Sequence, residues 1–283
     1  MSISQIVITG AGSGLGQAFA FALAKADHHL HLVDINPQSL DSTRAQLPPE
    51  TKCTLHLLDL SQLKHLEEWA TELCTQVEID MLINCAGITI TSDSLQISMS
   101  QWTQVLQVNL LSTIQLCRTI GQQMRMRQTG TIINIASMFG LLPAPSGIAY
   151  ATSKHALVGY TRTLRIELET DHVQVYLVCP GFLASNLFEN ATYNNVDGKT
   201  LTPDTSQMMS VTEAASRTLK GVSKGKATII FPWYVRILLW IEWFSPTFAH
   251  QIWRQQWKKF QQAELKSMPT DSDPSPHAVE SDA

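Results

Sequence analysis

Seven short, continuous apolar runs alternate with helical patterns, and this alternation constrains the fold more than any other feature of the chain. The runs lie at residues 6–9, 30–35, 53–60, 80–87, 130–137, 173–181 and 227–231. Strands that are apolar on both sides are typical of a parallel sheet covered by helices on both faces. Right-handed crossover connections then arrange such strands into a doubly wound domain. The sequence therefore predicts an α/β fold with a doubly wound parallel seven-stranded sheet.

The composition excludes several other classes of protein. The formal net charge is -4 and no basic block runs through the chain, which argues against nucleic acid as a partner. The five cysteines are scattered and form no CxxC pair, so we expect reduced thiols rather than disulfides or a zinc site. His29 and His31 share one strand face, but no carboxylate or thiolate lies at ligand spacing, so we expect no metal. The opening segment MSISQIVITG lacks the pattern of a signal peptide, and we expect a cytoplasmic protein.

The chain changes character near residue 231. Residues 1–231 form the predicted α/β domain, and residues 232–266 form an aromatic, amphipathic C-terminal extension. Residues 267–283 are rich in Pro, Ser and Asp with little to bury, so the sequence predicts a disordered tail.

A glycine-rich segment, TGAGSGLG (9–16), joins the first apolar run to the first helix. Gly10, Gly14 and Gly16 follow a G-x-x-x-G-x-G spacing rather than the strict G-x-G-x-x-G pattern. Glycines let the backbone approach a pyrophosphate, and the helix N-terminus offers free N–H groups and a favourable dipole. The segment therefore predicts a dinucleotide site.

Asp34 ends the second apolar run, twenty residues after Gly14. A carboxylate at this position accepts hydrogen bonds from the adenine ribose hydroxyls and repels a 2′-phosphate. No Arg or Lys follows in DINPQS to receive such a phosphate. The sequence therefore favours NAD(H) over NADP(H).

Tyr150 and Lys154 lie four residues apart in AYATSKHAL (149–157), a segment that favours a helix. Residues at this spacing lie on one helical face. An ammonium beside a phenol favours the phenolate, so we expect Lys154 to lower the pKa of Tyr150 toward the range of a general base. The spacing is also common for two solvated side chains, so the interpretation depends on the surrounding segments.

Those segments resemble the short-chain dehydrogenase/reductase family over residues 3 to about 231. Besides TGAGSGLG and YATSK, they are LLDL with Asp59, NCAG (84–87), VLQVNLLST with Asn109, Ser137 thirteen residues before Tyr150, and PGFLAS (180–185). In the last of these, Ser185 stands where the family usually has Thr. The resemblance implies a Rossmann-like domain and an oxidoreductase that transfers a hydride between a nicotinamide cofactor and a secondary alcohol or ketone.

The resemblance also implies roles for individual residues. Tyr150 is the general acid or base, Ser137 hydrogen-bonds the substrate oxygen, Lys154 binds the nicotinamide ribose, and Asn109 holds a water that links Lys154 to solvent. The residues expected to bind the cofactor are Gly10, Ser13, Gly14, Leu15, Gly16, Asp34, Asp59, Leu60, Asn84, Ala86, Gly87, Tyr150, Lys154, Pro180, Gly181, Leu183 and Ser185. Those expected to contact substrate are Ser137, Phe139, Tyr150, Phe182 and Leu187. Family members also lead us to expect a homodimer or homotetramer.

Two alternatives to this function stay open. One is an NADP(H)-dependent carbonyl or 3-oxoacyl reductase, against which Asp34 argues. The other is a dinucleotide-binding scaffold without turnover, against which the intact set of Ser137, Tyr150 and Lys154 argues.

Two further segments bear on the substrate. Residues 182–210 occupy the position of the family's substrate lid, and Phe182, Leu187 and Phe188 suggest an apolar ligand. Residues 231–260 hold five of the seven tryptophans together with Arg254, Lys258 and Lys259. This aromatic segment covers the substrate site or a subunit interface, lies in a membrane surface, or admits substrate from lipid.

Overall fold

The seven predicted strands form one parallel sheet. The computed structural model describes residues 4–185, 187, 191–194 and 208–267. The strands are β1 (Ser4–Thr9), β2 (His28–Asp34), β3 (Lys52–Leu57), β4 (Ile79–Asn84), β5 (Gly130–Ile135), β6 (Val173–Pro180) and β7 (Thr228–Phe231). Their order across the sheet is β7-β6-β5-β4-β1-β2-β3, and each neighbouring pair is parallel. The predicted doubly wound fold is confirmed.

Nine α-helices accompany these strands within the described residues. They are α1 (Gly14–Leu23), α2 (Pro37–Gln46), α3 (Leu63–Gln76), α4 (Met99–Leu106), α5 (Ser112–Arg127), α6 (Ile148–Glu169), α7 (Val211–Ser223), α8 (Trp233–Phe244) and α9 (Pro246–Ser267). Alternate residues of β1 show how the helices cover both faces of the sheet. Ile6 and Ile8 belong to a core cluster with residues of α1 and α7, whereas Val7 packs with residues of α3 and α5. This two-sided burial explains the continuous apolar runs.

The strand order reverses between β1 and β4, because the chain builds outward from β1 to β3 and then returns to the other side. The loops after β1 and β4 diverge at this point and leave a crevice at the carboxyl ends of the strands. A ligand site is expected there on topology alone.

The long helical stretch from Met99 to Arg127 is interrupted. Residues Gln107–Leu111 form a π-helical turn between α4 and α5. Such turns insert one residue into an α-helix, are rare, and are frequent at functional sites. Asn109 lies within this turn, and its hydrogen bonds are described below.

The structure describes only part of the segment over residues 182–210, which occupies the position of the predicted substrate lid. Leu183–Ala184 pairs with Met209–Ser210, and Thr192–Tyr193 pairs with Ile90–Thr91. Phe188 and the predicted disordered tail beyond Ser267 lie outside the described residues.

The C-terminal extension consists of α8 and α9, which pack onto the domain. Val235 of α8 and Trp253 of α9 form a small core with Met138 and Leu142, which follow β5. The Trp253 Nε1 atom donates a hydrogen bond of 2.8 Å to Glu242 Oε2. Within the described residues, none of the helices combines the length and the apolar character needed to cross a bilayer.

Three histidines form a hydrogen-bonded column on the outer strands β2 and β3. The rings of His29 and His31 stack at 4.8 Å, and His31 Nδ1 lies 3.1 Å from His56 Nε2. Gln5 and Trp69 hydrogen-bond the outer ring nitrogens of His31 and His56. Burial lowers the pKa of His31 and of His56 to about 4, and neighbouring histidines act in the same direction. Both rings are therefore held neutral in the folded chain at neutral pH.

Candidate active site

A large cleft opens at the carboxyl ends of β1, β4, β5 and β6. It encloses about 1260 Å³, more than the range of roughly 300–1,000 Å³ that is typical of sites for one small molecule. Most of the residues predicted to bind cofactor line it, namely Gly10, Ser13, Gly14, Leu15, Gly16, Asp34, Asp59, Leu60, Ala86, Gly87, Tyr150, Lys154, Pro180, Gly181, Leu183 and Ser185. The cleft has room for a dinucleotide and a second molecule.

The glycine turn lies against the segment that follows β4, and the start of α1 faces the cleft. Gly10 and Gly14 have φ angles of +69° and +53°, which L side chains rarely adopt. A Cβ atom on Gly10 would lie 2.9 Å from Ala86 Cα. The Ser13 side chain makes no capping hydrogen bond to α1, so the first N–H groups of this helix are not satisfied by that side chain. These features fit the phosphates of a dinucleotide.

Thr9 ties the glycine turn to the end of β4 and was not singled out in the sequence. Its Oγ1 atom accepts hydrogen bonds from the backbone N–H groups of Cys85, at 3.0 Å, and Ala86, at 3.1 Å. The Thr-Gly pair that begins the glycine-rich segment was the sequence feature that could have indicated this role, because a buried hydroxyl at a strand end must find hydrogen-bond partners.

Two carboxylates define the far end of the cleft. Asp34 Oδ2 accepts a hydrogen bond of 2.9 Å from the Gly12 N–H, and Asp34 Oδ1 accepts one of 3.1 Å from the Asn36 N–H. Asp59 Oδ1 accepts from the backbone and the hydroxyl of Ser61. Asp34 therefore holds the glycine turn as well as presenting negative charge to the cleft.

Ser137, Tyr150 and Lys154 converge at the other end of the cleft. Ser137 lies two residues beyond β5, and the other two lie on α6. Lys154 is buried, its Nζ donates a hydrogen bond of 2.9 Å to the Ile135 carbonyl, and Nζ lies 5.6 Å from the Tyr150 ring centroid. Ser137 Oγ accepts a hydrogen bond of 3.2 Å from the Phe139 N–H, and its hydroxyl also hydrogen-bonds the Tyr150 side chain. The predicted juxtaposition of ammonium and phenol is present.

The expected lowering of the Tyr150 pKa is wrong for the described structure. Burial raises the pKa of Tyr150 to about 12, and the Ser137 hydroxyl only partly opposes this effect. Burial also lowers the pKa of Lys154 to about 8. Desolvation disfavours the charged forms of both groups and is the largest cause of both shifts. Tyr150 is therefore protonated at neutral pH.

Asn109 does not line the cleft but joins two elements that do. Its Oδ1 accepts a hydrogen bond of 2.8 Å from the Ile88 N–H, and its Nδ2 donates to the Ile88 carbonyl and to Ser153 Oγ. Ser153 in turn donates to the Tyr150 carbonyl at 2.7 Å. The π-helical turn brings this side chain to Ile88, so Asn109 positions α6 relative to the loop after β4. Its expected role in holding a water stays a prediction.

The structure does not place the Asn84 side chain in the cleft, contrary to the expected cofactor contact. Asn84 is buried, and its Nδ2 donates a hydrogen bond of 2.8 Å to Asn134 Oδ1 on the neighbouring strand. The amide pairs β4 with β5 beneath the site because a buried side-chain amide requires a partner.

Aromatic and apolar side chains surround the substrate end. Phe139, Phe182 and Leu187 line the cleft as predicted, and the two phenylalanine rings meet edge to face at 5.7 Å. Sequence reasoning did not single out Gln104, Val108 or Tyr193, which also line it. Phe260, Gln256 and Lys259 of α9 add a further wall. Of the alternatives for the aromatic segment, the structure therefore shows the first: its helix α9 covers part of the cleft.

Comparisons with known proteins agree with this geometry. The sequence profile described as short chain dehydrogenase matches residues 4–195. The short-chain dehydrogenase/reductase olcF of Penicillium canescens is 30% identical over 200 residues, which cover 69% of this chain and 75% of that protein. For several other curated relatives, the matched part of the chain spans about half of their length.

Two solved structures show the same fold. A short-chain dehydrogenase from Sphingobium yanoikuyae, in complex with NADPH, superposes with a TM-score of 0.73 at 23% identity and covers 97% of this chain and 100% of its own. A 4-hydroxyisoleucine dehydrogenase complexed with NADH gives a TM-score of 0.68 at 25% identity, covering 81% of this chain and 96% of its own. With the matching profile and the convergence of Ser137, Tyr150 and Lys154, these similarities show that the chain belongs to the short-chain dehydrogenase family.

Proposed function

We propose that the protein is an oxidoreductase that interconverts a secondary alcohol and its ketone, with a lipophilic substrate. The observation that carries this proposal is the convergence of Ser137, Tyr150 and Lys154 at one end of a cleft whose other end holds the glycine turn. The aromatic lining around Phe139 and Phe182 supports an apolar substrate.

A nicotinamide cofactor, when bound in this cleft, supplies the hydride acceptor or donor. In the direction of reduction, Tyr150 donates its Oη proton to the carbonyl oxygen of the substrate, and its high pKa keeps that proton in place at neutral pH. The Ser137 hydroxyl donates a hydrogen bond to the same oxygen and stabilises the charge that develops on it.

Lys154 supports the tyrosine rather than contacting the substrate oxygen. Its buried ammonium lies below the Tyr150 ring and stabilises the phenolate that remains after proton transfer. The hydrogen bond to the Ile135 carbonyl fixes the amine at this position. In the direction of oxidation the same charge assists removal of the substrate hydroxyl proton.

We infer a preference for NAD(H) over NADP(H), and Asp34 carries this inference. Its carboxylate lies at the end of the cleft that faces the glycine turn, and Lys154 and Lys259 are the lysines among the described cleft-lining residues. A 2′-phosphate beside Asp34 would be repelled with no arginine or lysine next to that carboxylate in sequence to receive it.

Purified full-length protein tests the proposal directly. Steroid, retinoid, fatty and small alcohols are offered with NAD or NADP, and the corresponding ketones with NADH or NADPH, while the cofactor absorbance is followed. Turnover of an apolar alcohol with NAD supports the proposal, and a clear preference for NADPH supports the carbonyl or 3-oxoacyl reductase instead. Cofactor binding without turnover on any of these compounds would favour a scaffold.

We further propose that two or four copies associate through α5 and α6 in the cytoplasm. Exposed apolar side chains such as Leu111, beside α5, and Ile166, on α6, support the association. The five free thiols support a reducing compartment. Light scattering of the purified protein measures the oligomeric state, and fractionation of expressing cells measures the location.

A further inference from the structure

The outward face of α8 is almost entirely aromatic and aliphatic. Its exposed residues are Trp233, Arg236, Ile237, Trp240, Trp243 and Phe244, which follow the spacing of a single helical face. Trp240 and Trp243 are 62% and 80% exposed, and both rings contact Phe244 within about 5 Å. This set of residues, here called the aromatic face, is one contiguous patch.

Unlike an ordinary surface helix, α8 is apolar on its outer side as well as on the inner side that packs through Val235. A surface helix usually buries its apolar stripe and exposes its charges. Here the half-buried side holds Glu242, whose carboxylate accepts a hydrogen bond from the buried Trp253 side chain. The opposite, exposed side carries the tryptophans. Such an exposed patch marks an interaction site.

The charges around the aromatic face have one sign. The exposed charged residues over 233–265 are Arg236, Arg254, Lys258 and Lys259. The two acidic residues of this range, Glu242 and Glu264, are half-buried and buried respectively. Arg254 and Lys258 lie one turn apart on the exposed side of α9, the helix that follows α8 and packs against it. This basic region stands out because the whole chain carries a net charge of -4.

We propose that α8 and the exposed side of α9 dock on an anionic bilayer surface, parallel to the membrane plane. Tryptophan and phenylalanine on one side and basic residues beside them are the composition of interfacial helices. A second copy of this chain fits less well, because a symmetric contact through the aromatic face would bury Arg236 of both copies with no acidic residue on that face to pair with them. The inner side of α8 packs through Val235 on Met138 and Leu142, next to Ser137. The docked surface would therefore lie on the outside of a helix whose inner side packs next to the residue that follows Ser137.

Vesicle sedimentation of the full-length protein tests the docking. Vesicles of phosphatidylcholine alone and of phosphatidylcholine with phosphatidylglycerol are compared at low and high salt. We expect the protein to sediment with the vesicles that contain phosphatidylglycerol, much less with phosphatidylcholine alone, and less at high salt because the basic residues are screened. Equal binding to both vesicles, or binding to neither, would overturn the proposal.

Paired substitutions locate the contact. Trp240→Ser with Trp243→Ser should lower the vesicle-bound to free ratio by about tenfold or more, because aromatic burial drives interfacial binding. The matched control is Leu57→Ser with Leu95→Ser, which removes two exposed apolar side chains elsewhere and should leave binding unchanged. Arg254→Gln with Lys258→Gln should weaken binding to phosphatidylglycerol, whereas Lys224→Gln with Lys226→Gln should not.

Circular dichroism of each variant verifies folding, since all the substituted side chains are exposed. Wild-type binding by the tryptophan double variant would place the contact elsewhere and overturn the proposal. Dissociation of an oligomer in that variant, with no vesicle binding by the parent, would show that the aromatic face joins two copies of the chain. These outcomes do not depend on turnover, so the proposed function can fail while this inference stands.

Discussion

Lys154 holds its Nζ atom 5.6 Å from the centroid of the Tyr150 ring, one helical turn further along α6. Lys154 is buried and Tyr150 is half-buried, and desolvation raises the pKa of Tyr150 to about 12 while it lowers that of Lys154 to about 8. Additional positive charge in the cleft lowers both pKa values, because it favours the phenolate over the phenol and disfavours the ammonium. The protonation of the pair therefore depends on the charge of what the cleft holds.

Tyr150→Phe should lower kcat by roughly 10²–10⁴-fold, because the proton donor is lost while the ring stays in place. Binding of NADH, measured by fluorescence titration, should persist. Tyr176→Phe is the matched control, since its hydroxyl donates to Gln174 outside the cleft. Kinetics of the Tyr150 variant that match the parent on a good substrate would exclude the assigned role.

Asp34→Ala and Asp34→Asn separate two effects of one carboxylate. Alanine removes the acceptor for the Gly12 and Asn36 amides, so both NADH and NADPH should bind more weakly. Asparagine keeps an acceptor oxygen but removes the charge. The dissociation constant of NADPH divided by that of NADH should therefore fall by roughly tenfold, which corresponds to the free energy of a hydrogen bond to a charged group. An unchanged ratio in both variants would place the ribose elsewhere.

Phe260→Ala tests the wall that α9 contributes to the cleft. Phe260 is buried, lines the cleft and stacks on Trp257. Its removal should raise KM for bulky apolar substrates by roughly tenfold, as expected for lost contacts in an apolar pocket, and leave NADH binding unchanged. The KM of Phe260→Leu should lie between that of the parent and that of Phe260→Ala. Phe244→Ala, on the exposed face of α8, should leave KM unchanged in the absence of lipid. A parallel loss of cofactor affinity would contradict a wall that touches substrate alone.

The histidine column predicts how stability depends on pH. His31 and His56 have pKa values of about 4 in the folded chain, against about 6.5 for an ordinary histidine. Between these values the unfolded chain binds more protons, so the free energy of unfolding falls as the pH is lowered from 6.5 toward 4. For His31 alone the loss reaches about 3 kcal/mol.

Urea unfolding of His31→Gln across this pH range measures that contribution. The slope of unfolding free energy against pH should be shallower than in the parent. His65→Gln, which changes an exposed histidine, should keep the parental slope. An unaltered slope in the His31 variant would mean that the column does not govern acid stability.

The parts of the fold that depend on periodic burial were predictable from the sequence. The apolar runs identify all seven strands, and motif spacing brings Ser137, Tyr150 and Lys154 together. Each of these follows from local patterns that the sheet topology then aligns.

The remaining features depend on contacts that no local pattern reports. Asn84 was placed with the cofactor, but its side chain pairs with Asn134 because those two strands are neighbours. The wall built by Phe260 depends on how α9 packs on the domain. The direction of the Tyr150 pKa shift depends on desolvation, which is a property of the folded surroundings and not of the four-residue spacing.

The π-helical turn at Gln107–Leu111 places the rows of side chains on α4 and α5 out of phase. Each residue of a regular α-helix advances the side chains by about 100°. Deleting Val108 would restore one uninterrupted α-helix, but everything N-terminal to the deletion would rotate by that angle around the axis. Val105 would then leave its packed site beside Ala149. The chain therefore tolerates substitution in this stretch more readily than a change in its length.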